Sequence, residues 1–95
     1  MSQEPPRRWG ARGRRPPHPG EMLHERFLRP LQLDPRAVAP RVGVLTDQLL
    51  DLLDGRARVT PMLAERLSLE FGTPAEGWHD LQAQWDEWER RDGRP

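Results

Sequence analysis

The stretch that decides the fold is residues 35–54, PRAVAPRVGVLTDQLLDLLD. Val38 and Val42 stand four positions apart before Gly43, as expected on one face of a short helix. After the glycine, leucines recur with the 3.6-residue period of a second helix that has one apolar face, at Leu45, Leu49, Leu52 and Leu53. Two short helices joined by a tight turn containing glycine form a helix-turn-helix, whose second helix ordinarily enters the DNA major groove.

Helix boundaries are marked along most of the chain. Three pairs place a capping oxygen directly before a proline suited to the first helical position: Asp34-Pro35, Thr60-Pro61 and Thr73-Pro74. Glu76 also stands three residues after Thr73, which is the spacing of a capping box. Glycines occupy the positions where helices should stop, at Gly43, Gly55 and Gly72.

These marks divide the chain into five predicted helices, over residues 20–28, 35–42, 46–54, 61–71 and 74–91. No β-branched run or Asn-Gly turn indicates a hairpin. The predicted fold class is therefore all-α. Pro40 falls inside the second helix, where it removes a hydrogen bond and crowds the Arg36 carbonyl, so that helix is expected to kink or to lose its first turn.

Charge is unevenly spread over the 95 residues, although 15 arginines balance 15 acidic residues. Residues 1–17 hold five arginines, one glutamate and few large apolar side chains, which predicts a disordered basic arm. Residues 18–91 are the predicted helical domain, and residues 92–95 a short tail. A basic arm and an acidic C-terminal region suggest two partner surfaces, one of them for a polyanion, although two solubilising ends are an equal alternative.

Several functional classes are disfavoured by what the sequence lacks. There is no cysteine, no window of about 18 apolar residues for a membrane span, and no apolar segment behind the N-terminal arginines, so a cytoplasmic protein is expected. His18, His24 and His79 are poorly spaced for a metal site, and His18 with Glu21 is better explained as a helix-start contact. No paired carboxylates, nucleophile motif or phosphate-binding glycine loop is evident. The sequence therefore predicts no enzyme activity, no metal site and no cofactor.

The order of several short motifs resembles one known family. The matching segments are His18-Pro19-Gly20-Glu21, Phe27-Leu28-Arg29-Pro30-Leu31, Val42-Gly43-Val44, Gly55-Arg56, Thr60, Phe71-Gly72-Thr73-Pro74 and Trp78 to Gln82. Together, and without a gap from His18 to about Trp88, they resemble the HigA-type antitoxins of toxin–antitoxin modules, a branch of the Xre-like helix-turn-helix family. The resemblance implies a five-helix, lambda-repressor-like domain that dimerises, binds its own operator and neutralises a RelE-like ribonuclease toxin.

In such a domain, the third helix and its surroundings would contact DNA. Thr46 and Gln48 are the side chains suited to base edges. The arginines expected near backbone phosphates are Arg36, Arg41, Arg56 and Arg58. The arm arginines, Arg7, Arg8, Arg12, Arg14 and Arg15, are candidates for the minor groove or for phosphates. All of these arginines have the alternative of remaining solvated or pairing with nearby acids.

The outer face of the third helix argues against strong DNA binding. It presents Asp47, Asp51 and Asp54, whose carboxylates are repelled by phosphates. A second hypothesis is therefore a protein-interaction module, binding a toxin or a second copy, whose recognition helix has lost operator binding. A third is a repressor without a toxin.

Aromatic residues form a stripe along the fifth helix, with Trp78, Leu81, Trp85 and Trp88 at helical spacing. Trp78 and Leu81 are predicted to pack into the protein's own core, and core packing of all four residues is the alternative. Trp85 and Trp88, with Leu81, are predicted to line a dimer or partner interface, because exposed aromatics rimmed by charge are common interface anchors.

Overall fold

The computed structural model describes residues 15–93, and within this range all regular structure is helical. Helix α1 (Pro19–Leu23) continues as a π-helical turn (His24–Leu28), and it is followed by α2 (Pro35–Arg41), α3 (Thr46–Leu53), α4 (Pro61–Phe71) and α5 (Ala75–Trp88), which ends in a π-helical turn (Glu89–Gly93). The predicted all-α, five-helix class is confirmed. No helix in residues 15–93 has both the length and the apolar character needed to cross a membrane.

Much of the predicted arm, with Arg7, Arg8, Arg12 and Arg14, and the end of the predicted tail lie outside the described residues. Arg15, which the sequence assigned to the arm, is described: its guanidinium forms two hydrogen bonds with Glu21, at 3.2 and 3.0 Å. The packed part of the chain thus includes Arg15, upstream of the predicted boundary at His18.

The predicted caps of α2 and α4 are present. Asp34 Oδ1 accepts the Arg36 N–H at 2.9 Å, and Thr60 Oγ1 accepts the Leu63 N–H at 3.2 Å. The three stop glycines also adopt the expected left-handed backbone, with φ of 73° at Gly43, 78° at Gly55 and 69° at Gly72. Local chemistry accounts for these helix ends.

The predicted capping box at α5 is wrong. The N-cap residue is Pro74, with no side-chain cap, and the Thr73 hydroxyl instead accepts the Trp78 indole N–H at 2.7 Å. Trp78 is buried, and a buried indole N–H left without an acceptor would carry a desolvation penalty. The Thr73 hydroxyl therefore forms a tertiary hydrogen bond with Trp78 and does not cap α5.

Substitution Thr73→Val tests this assignment. The isosteric side chain removes the acceptor, so we expect the free energy of unfolding to fall by about 1–3 kcal/mol. Thr73→Ser is the control: it keeps the hydroxyl and should stay much closer to the wild type. Urea denaturation followed by circular dichroism measures both, and equal losses in the two variants would contradict the Trp78 hydrogen bond.

Of the two outcomes expected from Pro40, a kink or the loss of the first turn, the loss does not occur: α2 begins at Pro35 with its first turn intact. The Asp34 carbonyl accepts N–H groups from Ala37 at 2.8 Å and Val38 at 3.1 Å, which holds the start of the helix. Pro40 and Arg36 are both exposed. Water can therefore solvate the carbonyl that the proline leaves unpaired.

The core lies where α1, α3 and α4 meet α2 and α5. Its fully buried members include Leu23, Val38, Val42, Leu49, Leu52, Leu67 and Trp78. Leu45 is an exception to the predicted stripe, since its side chain is 71% exposed. It is the extended N-cap residue of α3 rather than a helical residue, so the helical period does not apply to it.

Helices α1 and α3 approach each other closely at Gly20. A Cβ at this position would lie 1.8 Å from the backbone oxygen of Leu52, so only glycine permits the contact. This contact sets α3 against α1 and leaves the opposite face of α3 open to solvent.

The start of α1 is a capping box built on a histidine. His18 Nδ1 accepts the Gly20 N–H at 2.9 Å, and Glu21 Oε1 accepts the His18 N–H at 2.9 Å. The predicted helix-start contact of His18 with Glu21 is confirmed. Burial lowers the pKa of His18 below its ordinary value, which keeps Nδ1 free to accept.

We expect acid to destabilise the protein below about pH 6.5, the ordinary pKa of histidine. With its pKa lowered in the folded state, His18 takes up its proton more readily when unfolded, so stability falls as the pH drops from this value towards the folded pKa. Thermal unfolding between pH 7.5 and 5 measures the effect. Because Asn caps helices without titrating, the decline should be shallower in His18→Asn, and an unchanged profile would assign it to other groups.

Candidate nucleic-acid interface

The outer face of α3 is acidic. While Leu49 and Leu52 are buried at 1% exposure each, Asp47, Asp51 and Asp54 are exposed. The orientation predicted from the helical period is thus present. Leu50 lies on the same face and is 42% exposed, so this surface combines carboxylates with an apolar side chain.

The predicted base-contacting residues lie at the start of α3. Thr46 is half-buried, and Gln48 is exposed with its Oε1 accepting the Leu45 N–H at 2.8 Å. Reading adenine through both N6 and N7 needs the amide oxygen as well as the amide nitrogen. Gln48 would therefore have to share its Oε1 between the Leu45 N–H and the base, or release the backbone, to make a two-bond contact.

Each arginine predicted to contact phosphate faces a carboxylate. The nitrogen–oxygen distances are 3.8 Å for Arg36–Asp34, 3.2 Å for Arg41–Glu70, 3.3 Å for Arg56–Asp54 and 2.7 Å for Arg58–Asp86. All four arginine side chains are more than half exposed. Exposed pairs of this kind contribute only about 0–1 kcal/mol, so a phosphate can compete for the guanidinium groups.

Arg58 belongs to a network that joins the loop after α3 to α5. Its guanidinium donates to both carboxylate oxygens of Asp86, at 3.2 and 2.7 Å. Gln82, which is 5% exposed, donates to Asp86 Oδ1 at 2.9 Å and accepts the Val59 N–H at 2.8 Å. The Arg58 hydrogen bonds hold the pKa of Asp86 below its ordinary value, so this carboxylate stays ionised at neutral pH.

The predicted interface tryptophans are partly covered by the chain itself. Trp85 contacts the His18 ring edge-on at 4.9 Å and carries the Arg15 guanidinium 5.5 Å from its ring centre. Trp88 lies 5.0 Å from Trp85, and both side chains are half-buried. Leu81 lies one turn away, in a groove of about 230 Å³ that Phe27 and Trp78 also line.

Asp86 and Gln82 were not predicted from the sequence as site residues. Their partners lie 28 and 23 residues away, so no local spacing pointed to them. Arg66 was also missed: its Nη1 lies 3.4 Å from the Val42 carbonyl, at the glycine turn. A glutamine four residues after Trp78, beside the aromatic stripe of the fifth helix, was the available signal, and it indicates only that a buried amide would need a partner.

These features define a class of protein. Two short helices pack around a glycine turn, and α3 presents its outer face beside exposed arginines, as in a helix-turn-helix protein. No family model matches the sequence.

Curated relatives and solved structures narrow the class. Antitoxin HigA-1 of Vibrio cholerae is 33% identical over 78 residues, which are 82% of this chain and 73% of that protein. Virulence-associated protein I of Dichelobacter nodosus is 32% identical over 69 residues, 73% of this chain, and the match spans only 64% of that protein.

Two Pseudomonas aeruginosa structures share the fold. PA4674 in complex with its operator DNA has a TM-score of 0.79 and 28% identity, covering 85% of this chain and 87% of that one. Antitoxin HigA with the higBA promoter has a TM-score of 0.75 and 30% identity, covering 83% and 88%. The chain belongs to the HigA-type family of helix-turn-helix antitoxins and regulators.

Proposed function

We propose that this protein is the antitoxin and transcriptional autoregulator of a toxin–antitoxin pair, which binds operator DNA and neutralises a RelE-like ribonuclease toxin by binding it. The observation that carries the proposal is the exposed face of α3, flanked by Arg56 and Arg58 on a fold similar to operator-bound relatives. Both proposed partners belong to the cytoplasm.

Contacts with phosphates supply most of the proposed DNA affinity. Arg36, Arg41 and Arg56 would exchange their carboxylate partners for phosphates at little cost, because these pairs are exposed. Arg58 would also contact a phosphate, but it must first leave its two-bond pair with Asp86. Thr46 and Gln48 add a weak base preference. Arg15 is tied to Glu21 and Trp85, so a DNA role for the arm falls to the residues before it.

The aspartates of α3 limit this affinity. A carboxylate about 6 Å from a phosphate costs roughly 0.7 kcal/mol at the dielectric constant of water and about 3 kcal/mol at an effective value of about 20. Asp47, Asp51 and Asp54 together can thus offset much of the roughly 4–10 kcal/mol that separates specific from non-specific binding. We therefore expect modest affinity that declines steeply with salt.

Operator binding by a homodimer would double these contacts. Trp85 and Trp88, with Leu81, are the proposed dimer or partner surface, since half-buried tryptophans beside charged residues are suited to an interface. A second copy would also place two α3 helices on one side of a duplex, as helix-turn-helix dimers do on paired half-sites.

A gel-shift titration against the DNA upstream of its own gene tests operator recognition. We expect tighter binding than to a scrambled duplex of the same length and composition at moderate salt. Equal affinity for the two duplexes would contradict specific recognition of the operator. Co-expression with the product of the neighbouring gene tests toxin neutralisation, and continued growth arrest in the presence of this protein would contradict it.

A second candidate function is supported by the acidic, partly apolar face of α3. Asp47, Asp51 and Asp54 with the exposed Leu50 are better suited to a basic protein surface than to DNA. The chain would then be a toxin-binding or dimerising module without operator affinity. Rescue from the toxin without any preferential DNA shift would favour this function over the first.

A further inference from the structure

We propose that Asp86 of α5 is a positioning residue that withholds Arg58 from DNA until a phosphate, or a cationic group of a protein partner, displaces one side of the pair. The proposal rests on the proposed DNA binding and adds to it a residue that lies outside the helix-turn-helix.

The geometry of this pair differs from that of the other exposed arginines. Arg36 and Arg56 pair with acids two residues away, each through one contact longer than 3.2 Å, and Arg41 meets Glu70 of α4 through one contact of 3.2 Å. Arg58 instead reaches 28 residues along the chain and forms two parallel hydrogen bonds with Asp86. Such bidentate, charge-assisted pairs are stronger and more directional than single contacts.

Asp86 is itself held in place. The side-chain amide nitrogen of Gln82 donates to Asp86 Oδ1, and the Gln82 oxygen accepts the N–H of Val59, the residue directly after Arg58. Because Gln82 is buried, this arrangement is fixed before any ligand arrives. The carboxylate is therefore prepositioned, and it holds the Arg58 guanidinium at α5.

The position of Asp86 links two surfaces. Asp86 lies between Trp85 and Trp88 in the sequence of α5, the helix proposed to meet a protein partner. Its hydrogen-bond partner Arg58 belongs to the loop proposed to contact DNA. A lysine or arginine of a partner that pairs with Asp86 would free Arg58 for a phosphate. Reciprocally, a phosphate that takes Arg58 would leave Asp86 ready for a cation, so the two binding events would favour each other.

Asp86→Asn tests the proposal, because it removes the charge while keeping the shape of the side chain. We expect affinity for a duplex to rise about twofold to fivefold, which corresponds to release of one exposed ion pair, and the log–log salt slope to steepen by up to about 0.9. The measurement is fluorescence anisotropy with labelled operator and scrambled duplexes at several salt concentrations. Asp86→Ser serves as a second variant, and thermal unfolding verifies that both are folded.

Glu89→Gln is the matched control. Glu89 lines the same hollow as Arg58 and Asp86 and changes the net charge equally when neutralised, but its carboxylate makes no hydrogen bond to Arg58. We expect a smaller gain in affinity and an unchanged salt slope. In the double variant Arg58→Gln, Asp86→Asn, the increase in DNA affinity caused by Asp86→Asn should disappear, because the Arg58 guanidinium that it would release is missing.

Equal gains and equal slopes for Asp86→Asn and Glu89→Gln would overturn the proposal, since the effect would then be one of net charge. If operator and scrambled duplexes bind equally but Asp86→Asn still exceeds the control on both, operator recognition fails while the role of Asp86 stands. If no variant binds either duplex, the proposed DNA binding and the role of Asp86 are both rejected.

Discussion

Gly20→Ala is expected to destabilise the protein by about 3 kcal/mol or more, at the upper end of the range for overpacked cores. The new Cβ would lie 1.8 Å from the Leu52 oxygen and 2.7 Å from its carbonyl carbon. Both are backbone atoms, which cannot rotate away as a side chain would. Helix α1 must therefore move off α3, and a loss of this size is a large part of the roughly 5–15 kcal/mol that stabilises a typical domain.

Gly77→Ala is the control for this prediction. Gly77 lies inside α5, and a Cβ there would meet nothing within 4 Å. Replacing a helical glycine by alanine in open space should stabilise the protein by about 0.5–1 kcal/mol. Urea denaturation followed at 222 nm measures both variants. Similar stabilities for the two would show that α1 and α3 are not in close contact at Gly20.

Leu67→Ala is expected to cost about 2–5 kcal/mol, the range for removing a buried leucine side chain and leaving a cavity. Leu67 is completely buried at the centre of α4, among the side chains that hold the helices together. Two residues further along the same helix, Leu69 is 86% exposed. We expect Leu69→Ala to change the free energy of unfolding by less than about 0.5 kcal/mol.

The pair separates burial from helix propensity, because both substitutions replace leucine with alanine in one helix. Urea denaturation compares the free energies of unfolding of the two variants, with one common value for the dependence of the free energy on urea concentration. A loss at Leu69 as large as that at Leu67 would indicate that Leu69 is covered in solution, for example by a second copy of the chain.

Most of the helix ends followed from the sequence because they depend on local chemistry. An oxygen of Asp34 or Thr60 needs only the next few N–H groups, and a glycine such as Gly72 needs only its own freedom to adopt positive φ. Besides the first turn of α2, which is present, the failed predictions concern Thr73 and Leu45. The first was engaged by a buried tryptophan, and the second stands one residue before its helix begins.

The candidate site was accessible to sequence reasoning only in part. The period of the leucines was sufficient to turn Asp47 and Asp51 outward, since each helical position has a defined direction. The partners of the arginines were not accessible in the same way. Arg41 meets Glu70 and Arg58 meets Asp86, and both contacts depend on how separate helices are packed.

The sequence by itself determined the class of fold, the five helices and the acidic outer face of α3, because apolar periodicity and capping act over distances of about four residues. Only the tertiary structure decided that Gly20 is a contact point between helices, that Thr73 serves Trp78, and that Arg58 is held by Asp86 and Gln82. Each of these depends on residues brought together by burial of the common core, and no spacing along the chain encodes such a meeting.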